Sequence, residues 1–187
     1  MRVKPLPCLV LLLLATGAWQ FGSGVWIYAK AQLAQYLIEQ AWQRTLVRHA
    51  AVKPWPWADT WPVARLQWKD EVDLYVLAGI NGASLPFGPG MEKHVQVGDA
   101  DKPILIAGHR DTHFAFLAQV HSADKLTLTD MQGQTRVFRV KSRDIVDSRT
   151  QKLAPETATP ALVLVTCYPF DALRAGGPLR FVVKAEG

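Results

Sequence analysis

The sequence predicts a small all-β domain, a closed barrel or a sandwich, that follows an N-terminal helical part. From Val63 onward the chain carries short runs of β-branched and aromatic residues, separated by Gly, Pro, Asn and Asp. Many short strands with little helix between them favour a barrel or a sandwich. Before Val63 the apolar residues recur with helical spacing instead. With 187 residues, 49% of them hydrophobic, the chain is long enough for one packed domain and an appendage.

Residues 1–30 are predicted to be a cytoplasmic tip followed by a single membrane anchor. The stretch Pro5–Ala29 contains no charged residue, and about 20 apolar residues suffice to cross a bilayer. A cleaved signal peptide is the alternative, because Thr16–Ala18 resembles a weak cleavage site. Apolar and aromatic residues that continue beyond this point favour the uncleaved anchor. Arg2 and Lys4 then lie in the cytoplasm by the positive-inside rule, which places the rest of the chain on the extracytoplasmic side.

Residues 31–62 are predicted to form an amphipathic helix and a linker rich in tryptophan and proline. Ala31–Arg48 has apolar residues on two neighbouring helical rows and polar residues elsewhere. The helix is interpreted either as a stalk or cover, or as a helix packed on the barrel. Val52–Pro62 cannot be helical, because each proline holds the preceding residue extended. Its three tryptophans could dock on a partner or on lipid, or strap the segment to its own core.

Residues 63–187 are predicted to form the barrel. The pattern of β-type runs predicts eight strands, at Val63–Trp68, Val72–Ala78, Ile104–Gly108, Lys125–Thr129, Thr135–Val140, Asp144–Val146, Leu162–Cys167 and Leu179–Lys184. A hairpin turn is predicted at Met131–Gly133, between two of these runs.

Charge and metal-ligand patterns argue against several functions. The net charge of +5 is spread along the chain, so nucleic acid is not an expected partner. Cys8 and Cys167 are far apart in sequence, and we expect two free thiols. A zinc site formed by His109, His113 and Cys167 is conceivable but disfavoured, because no Cys-x-x-Cys or His-Glu-x-x-His motif is present. No metal or cofactor is therefore predicted.

The C-terminal hairpin is predicted to bring a thiol and a guanidinium together. One β-rich run ends at Cys167, and the next opens with Arg180 after a loop containing Gly and Pro. In an antiparallel hairpin these two residues lie at the same rim of the sheet. A thiol beside a fixed cation is a candidate nucleophile with a ready stabiliser for negative charge. His109, presented by a glycine at the end of another apolar strand, is the candidate base.

These three side chains suffice for attack on a peptide carbonyl. Free cysteine titrates near 8.5 and histidine near 6.5, so a His109–Cys167 pair can exchange a proton and present some thiolate. Arg180 cannot deprotonate and is a permanent donor to the oxyanion, while His109 protonates the leaving amine. An amine that opens the thioacyl enzyme gives transfer, and water gives hydrolysis. A third possibility is a catalytically silent, membrane-tethered binding domain.

Five nearby residues are secondary candidates. Thr166 could assist through its hydroxyl or backbone, or could merely reflect β propensity. Asp111 and Thr112 could orient the histidine loop, or only cap the following turn. Tyr168 and Phe170 could line a substrate groove, or could pack in the core.

The apolar segment after the histidine loop has the same two interpretations. Phe114, Phe116 and Leu117 could contribute to the groove, or could pack in the core.

Three ordered segments resemble the signatures of sortases, which are membrane-anchored cysteine transpeptidases. They are Ala107–Phe114 with His109, Leu164–Phe170 with Cys167, and Gly177–Phe181 with Arg180. The threonine before the cysteine matches the family, whereas Val163 stands where the family often has threonine. The preceding helix and tryptophan-proline linker are most similar to Gram-negative (class GN) sortases, and the His and Cys segments are similar to class D. The resemblance spans about Gln32–Val183.

This resemblance implies an eight-stranded sortase β-barrel with His109, Cys167 and Arg180 as its catalytic residues. It implies a secreted protein substrate with a C-terminal sorting signal of the Leu-Pro-x-Thr type, and an amine acceptor of unknown identity. It also favours transfer over hydrolysis. The expected location is the inner (plasma) membrane, with one membrane span and the catalytic domain on the periplasmic side.

Overall fold

The computed structural model describes residues 5–92, 103–151, 153, 161–172 and 176–187. Its contacts divide the chain into two compact units, Met1–Tyr36 and Leu37–Gly187.

The two predicted helical segments form one continuous helix, α1, which spans Pro5–Arg48. The predicted junction at residue 30 lies between alanines, which favour helix, so nothing in the local sequence interrupts it. The part from Leu9 onward is apolar and long enough to cross a membrane. Arg2 and Lys4, on which the predicted orientation rests, lie outside the described residues. The helix ends where His49 adopts a left-handed conformation, with φ of 49°.

The part of α1 that belongs to the second unit packs against the barrel. Ile38, Ala41, Trp42 and Thr45 are all buried, and their i, i+3, i+4, i+7 spacing places them on one face. The Trp42 ring lies 6.2 Å from the ring of Tyr75. For residues 37–48, the interpretation as a helix packed on the barrel is therefore confirmed.

Thr45 offers a test of this packing. Its side chain is fully buried, and its hydroxyl has no hydrogen-bond partner among the described residues. An unsatisfied buried polar group costs free energy, so Thr45→Val should raise the free energy of unfolding by about 1 kcal/mol. Denaturant unfolding measures the change. Thr45→Ala, which leaves a cavity, is the control and should be destabilising; a loss of stability in Thr45→Val would contradict the expected gain.

Eight strands close into a barrel. They are β1 Pro62–Trp68, β2 Val72–Ala78, β3 Gly90–Met91, β4 Ile104–Ala107, β5 Lys125–Asp130, β6 Thr135–Asp147, β7 Ala161–Cys167 and β8 Leu179–Glu186. Their order around the barrel is β1-β2-β3-β4-β7-β8-β6-β5, with β5 pairing back onto β1. The β2–β3 and β4–β7 pairs are parallel, and the other pairs are antiparallel. The predicted all-β barrel is confirmed, and the sandwich is excluded.

Two strand predictions were wrong, although the total of eight is unchanged. Thr135–Val140 and Asp144–Val146 are parts of the single strand β6, whose register shifts between Val140 and Ser142. This irregularity breaks the alternation of apolar residues, and the sequence pattern then resembles two strands. Strand β3 was not predicted, because a strand of only two residues is too short to show an alternating pattern of apolar residues. Its Gly90 is required by packing, since a Cβ there would overlap a backbone carbonyl oxygen of the adjacent segment.

The barrel has an apolar interior and a second apolar cluster on its outer side. Alternate residues of β4, β7 and β8 join the main core, namely Ile104, Ile106, Leu162, Leu164, Val183 and Ala185. The intervening residues form the outer cluster, in which Val163, Val165 and Val182 are packed against Leu105, Val146 and Leu153. Because side chains alternate along a strand, the position of a residue in this series fixes the face on which it lies.

The tryptophan-proline linker is only partly anchored to the barrel. The Trp55 ring meets that of Phe87 edge-on at 5.3 Å, and Trp61 packs against the main core. Trp57, by contrast, is 79% exposed. The interpretation as a strap is thus confirmed for two of the three tryptophans.

Candidate active site

The thiol and the guanidinium predicted to meet do so at the end of the β7–β8 hairpin. Cys167 is the last residue of β7, and its register partner on β8 is Arg180. Cys167 continues the outward-facing series of Val163 and Val165, and Arg180 continues that of Val182. Both side chains therefore lie on the outer face of the barrel. Cys167 is a free, partly exposed thiol.

His109 lies beyond the end of β4, the strand that runs parallel to β7. Leu105 is in register with Val163, and Ala107 with Val165. The ladder continues beyond β4, because the Gly108 N–H donates to the Val165 carbonyl at 3.1 Å. His109 follows Gly108 directly and is exposed, so it begins the loop that leaves β4 at the end where β4 pairs with β7.

Thr166 reinforces this junction from the inner side of the barrel. It is 2% exposed, and its hydroxyl donates a 2.7 Å hydrogen bond to the Gly108 carbonyl. The residue before the cysteine is thus bonded to the residue before the histidine. Of the two interpretations of Thr166, assistance through the hydroxyl has this bond as its structural basis.

Removal of the Thr166 hydroxyl should reduce turnover. In Thr166→Val the partly buried Gly108 carbonyl loses its partner, which costs about 1 kcal/mol. A shift of the loop that bears His109 would let the carbonyl bond to water. Such a shift would also displace the imidazole, so we expect turnover to fall by on the order of tenfold. Steady-state kinetics measure the effect. Thr166→Ser keeps the hydroxyl and should retain most of the activity; equal losses in the two variants would argue against the role of this hydrogen bond.

The Arg180 side chain is held at one end by its own loop. Its Nη1 donates to the carbonyls of Gly177 and Leu179, at 2.6 and 2.9 Å. Its Nε and Nη2 groups make no hydrogen bond within the described part of the chain. These N–H groups are the ones that a developing oxyanion beside Cys167 could use.

An acidic residue lies near this guanidinium. Hydrogen bonds from the Arg149 side chain and backbone lower the pKa of Asp147 to about 2, and the positive charge of Arg180 contributes a smaller part. Asp147 is therefore ionised at neutral pH. It is the last residue of β6 and is in register with Leu179, the residue before Arg180.

The loop after His109 is a hydrogen-bonded turn. The N–H groups of Thr112 and Phe114 donate to the His109 carbonyl, at 3.4 and 3.0 Å. The Thr112 hydroxyl lies 3.3 Å from Nδ1 of His113. Burial lowers the pKa of His113, and the nearby His109 lowers it further, and both effects favour the neutral imidazole.

Sequence reasoning missed Arg110, the residue directly after His109. It is 8% exposed, and its Nη1 and Nη2 donate to the carbonyls of Pro169 and Ala172, at 2.7 and 2.5 Å. Its Nε donates to Asp111 at 3.0 Å. Arginine is usually exposed, and nothing in the sequence indicates that this one is buried.

Two aromatic residues of the loop after Cys167 pack on Phe181 of β8. The Tyr168 ring stacks on that of Phe181 at 6.3 Å, and the Phe170 ring meets Phe181 edge-on at 5.3 Å. Phe170 and Phe181 also pack against the main core. Tyr168 and Phe170 remain partly exposed, as residues lining a groove must be.

The other apolar segment belongs to the core. Phe114, Phe116 and Leu117 are at most 8% exposed, and the last two lie within a short 3₁₀ helix, η1, at Ala115–Gln119. For these three residues, core packing is confirmed and the groove is excluded.

No metal-binding group accompanies the thiol in the described part of the chain. Among those residues, no three His, Cys, Asp or Glu side chains are grouped closely enough to hold an ion.

The fold and the site define a class: a closed eight-stranded β-barrel with a free strand-end thiol facing an arginine. A family model described as the sortase domain matches residues 66–187, which is more than half of the chain. The chain belongs to the sortase family.

Relatives and solved structures agree with this assignment. Sortase D of Bacillus subtilis (strain 168) is 27% identical over 118 residues, which are 63% of this chain and 59% of the relative. The chain therefore spans 59% of the length of this curated relative. Sortase A from Corynebacterium diphtheriae has a TM-score of 0.59 at 25% identity, covering 67% of this chain and 60% of that one. A Clostridium perfringens sortase D5 transpeptidase is similar in fold, with a TM-score of 0.65 at 13% identity, covering 83% and 98%.

Proposed function

We propose that this protein is a membrane-anchored cysteine transpeptidase. It cleaves a C-terminal sorting signal of a secreted protein through a thioacyl enzyme, and transfers the product to an amine acceptor. The observation that carries the proposal is the register of β4, β7 and β8. Cys167 is the register partner of Arg180 on β8, and β4, which ends two residues before His109, pairs with β7 on its other side, which supports the assignment of all three residues to one site.

The first half of the reaction uses all three side chains. The Cys167 thiolate attacks the scissile carbonyl, which forms a C–S bond and a tetrahedral oxyanion. The Nε and Nη2 groups of Arg180 donate to that oxyanion. Collapse breaks the C–N bond, and the His109 imidazolium gives its proton to the leaving amine.

The second half reverses these roles. The acceptor amine attacks the thioacyl carbon, and His109 takes the proton that the amine loses. Collapse of the second oxyanion breaks the C–S bond and releases the new amide. The Cys167 thiolate and the His109 imidazolium are thereby restored, so the cycle needs no cofactor.

The partly exposed aromatic residues beside the thiol suit an apolar peptide segment. Tyr168 and Phe170 contact each other through their rings at 6.2 Å. A sorting signal of the Leu-Pro-x-Thr type would present a leucine and a proline to this surface. The resemblance of the helix and linker to class GN sortases supports a Gram-negative protein with one dedicated substrate.

The helix α1 supports anchoring in the inner membrane. Its side chains from Leu9 to Tyr28 are almost all exposed, and its apolar length is sufficient for one span. Arg2 and Lys4 support a cytoplasmic N-terminus and a periplasmic catalytic domain. Residues 1–30 would then form the tip and anchor, 31–62 the packed helix and linker, and 63–187 the catalytic barrel.

One experiment tests the proposed activity and finds the substrate. The full-length chain in detergent is incubated with a peptide library, with and without an amine acceptor, and analysed by mass spectrometry. We expect a thioacyl adduct on Cys167 and a peptide product joined to the acceptor. Release of the cleaved peptide without joining would favour the hydrolase. An unmodified Cys167 under all conditions would favour the silent binding domain.

A further inference from the structure

We infer that Arg110 is a positioning residue for the proposed reaction, because its buried guanidinium fastens the loop that carries His109 to the loop that follows Cys167. This inference rests on the proposed function and concerns how that site keeps its geometry.

The two reacting residues are secured on their N-terminal sides by the barrel itself. Gly108, before His109, donates to the Val165 carbonyl and accepts from the Thr166 hydroxyl. Strand β4 ends at Ala107 and β7 at Cys167, and the pairing of β7 with β8 continues for one further hydrogen bond, in which the Tyr168 N–H donates to the Leu179 carbonyl at 3.1 Å. This bond holds the chain after Cys167 to β8, but no backbone hydrogen bond within the described residues joins the segment after His109 to the segment after Cys167.

Arg110 supplies a connection on the C-terminal side. It follows His109 directly, and its two terminal nitrogens donate to the carbonyls of Pro169 and Ala172 in the loop after Cys167. His109 and Cys167 thus lie between two connections, one before them and one after them. With both ends of each segment held, the imidazole and the thiol cannot separate without breaking one connection.

The energetics favour a strong link. Hydrogen bonds from a charged donor are roughly twice as strong as neutral ones. The Arg110 side chain is 7% exposed, whereas its ionic partner Asp111 is 68% exposed. The guanidinium is thus shielded from water while the carboxylate is not, and the loss of a carbonyl partner would leave a buried charge less well satisfied.

The shape of the guanidinium matters as much as its charge. The carbonyls of Pro169 and Ala172 are three residues apart, and Asp111 is a third partner. Arginine reaches all three with donors in one rigid plane, whereas lysine has a compact ammonium on a flexible stem. Lysine should keep the charge but not the full connection.

Two variants of Arg110 and two matched controls test the inference in the full-length chain. Arg110→Gln removes the charge, and Arg110→Lys keeps it. Arg143→Gln and Arg143→Lys make the same changes at another arginine that donates to a loop carbonyl, that of Val120 at 2.8 Å. The controls should behave as the unmodified protein.

The first measurement is the rate of Cys167 alkylation by iodoacetamide as a function of pH, followed by mass spectrometry. It requires no peptide substrate. A thiol paired with histidine reacts in mildly acidic solution, whereas an isolated thiol needs alkaline solution. We expect Arg110→Gln to lower the rate at about pH 6.5, relative to that at about pH 9, by about tenfold. Arg110→Lys should lie between this variant and the unmodified protein.

The second measurement is turnover of the peptide identified above. Misplacement of reacting groups by about 1 Å costs on the order of 10²-fold, so we expect a loss of that size in kcat for Arg110→Gln. KM should change little, because Arg110 is not placed in contact with substrate.

Each other outcome has a definite meaning. Folded Arg110 variants with an unchanged alkylation profile and unchanged kcat would overturn the inference. Failure of both variants to fold, while the Arg143 variants fold, would make Arg110 a purely structural residue and also overturn it. If the unmodified chain forms no thioacyl adduct, the proposed function fails, and the alkylation profile alone then decides the role of Arg110.

Discussion

Cys167→Ala should abolish the thioacyl adduct and lower turnover by at least about 10⁴-fold. The thiol is the only group at this end of the barrel to which we assign the covalent step, and alanine leaves nothing to attack the carbonyl. Cys167→Ser should be similarly inactive, because a hydroxyl is not appreciably ionised by a neighbouring histidine at neutral pH. Mass spectrometry of the enzyme after incubation with the peptide and the acceptor measures the adduct directly.

The second cysteine provides the control for this experiment. Cys8 lies within α1, outside the barrel, and Cys8→Ser should form the adduct and turn over as the unmodified chain does. Loss of activity in Cys8→Ser with retention in Cys167→Ala would contradict the assignment of the nucleophile. Retention in both variants would contradict covalent catalysis by a thiol altogether.

Arg180→Lys should lower kcat by about 10²–10³-fold, the usual cost of losing an oxyanion donor. The structure gives a specific reason why retained charge does not suffice. The Nη1 of Arg180 is engaged by the carbonyls of Gly177 and Leu179, while Nε and Nη2 remain for the oxyanion. A lysine ammonium that stays with these carbonyls is no longer positioned to donate to the transition state, and it lacks the planar fork.

Steady-state kinetics distinguish this role from simple substrate binding. If Arg180 acts in the transition state, kcat and kcat/KM fall together and KM is nearly constant. A rise in KM alone would instead assign Arg180 to ground-state binding. The control is Arg139→Lys, because Arg139 is an exposed arginine on β6 that donates to the Ala123 carbonyl at 3.3 Å, and its replacement should have no effect.

The strand ends that carry the site could be predicted because their local patterns are strong. The run of apolar residues before Cys167 and the loop that follows it are typical of a strand and a hairpin. In an antiparallel hairpin, the last residue of one strand lies beside the first residues of the next. The pairing of Cys167 with Arg180 followed from that rule alone. The position of His109 rests on a parallel pair between distant strands, which no local pattern specifies.

The errors arose where local patterns are weak or misleading. A register shift near Val140 made one long strand look like two. The two-residue strand at Gly90–Met91 forms only through its pairing with β2 on one side and β4 on the other. The aromatic residues Phe114 and Phe116 fit either a groove or a core by composition, and only the closed barrel decided for the core.

The sequence by itself determined the all-β class, the apolar helix, and the presence of a thiol, an imidazole and a guanidinium at strand ends. It could do so because strand and helix periodicities are local, and because chemistry-bearing residues beside glycine and proline stand out from them. Tertiary structure alone decided the order of the strands, the outer face on which Cys167 and Arg180 lie, and the burial of Arg110. Those features depend on hydrogen bonds between segments nearly 60 residues apart, such as that from Arg110 to Pro169. The local sequence of a segment does not specify which distant segment it will pair with.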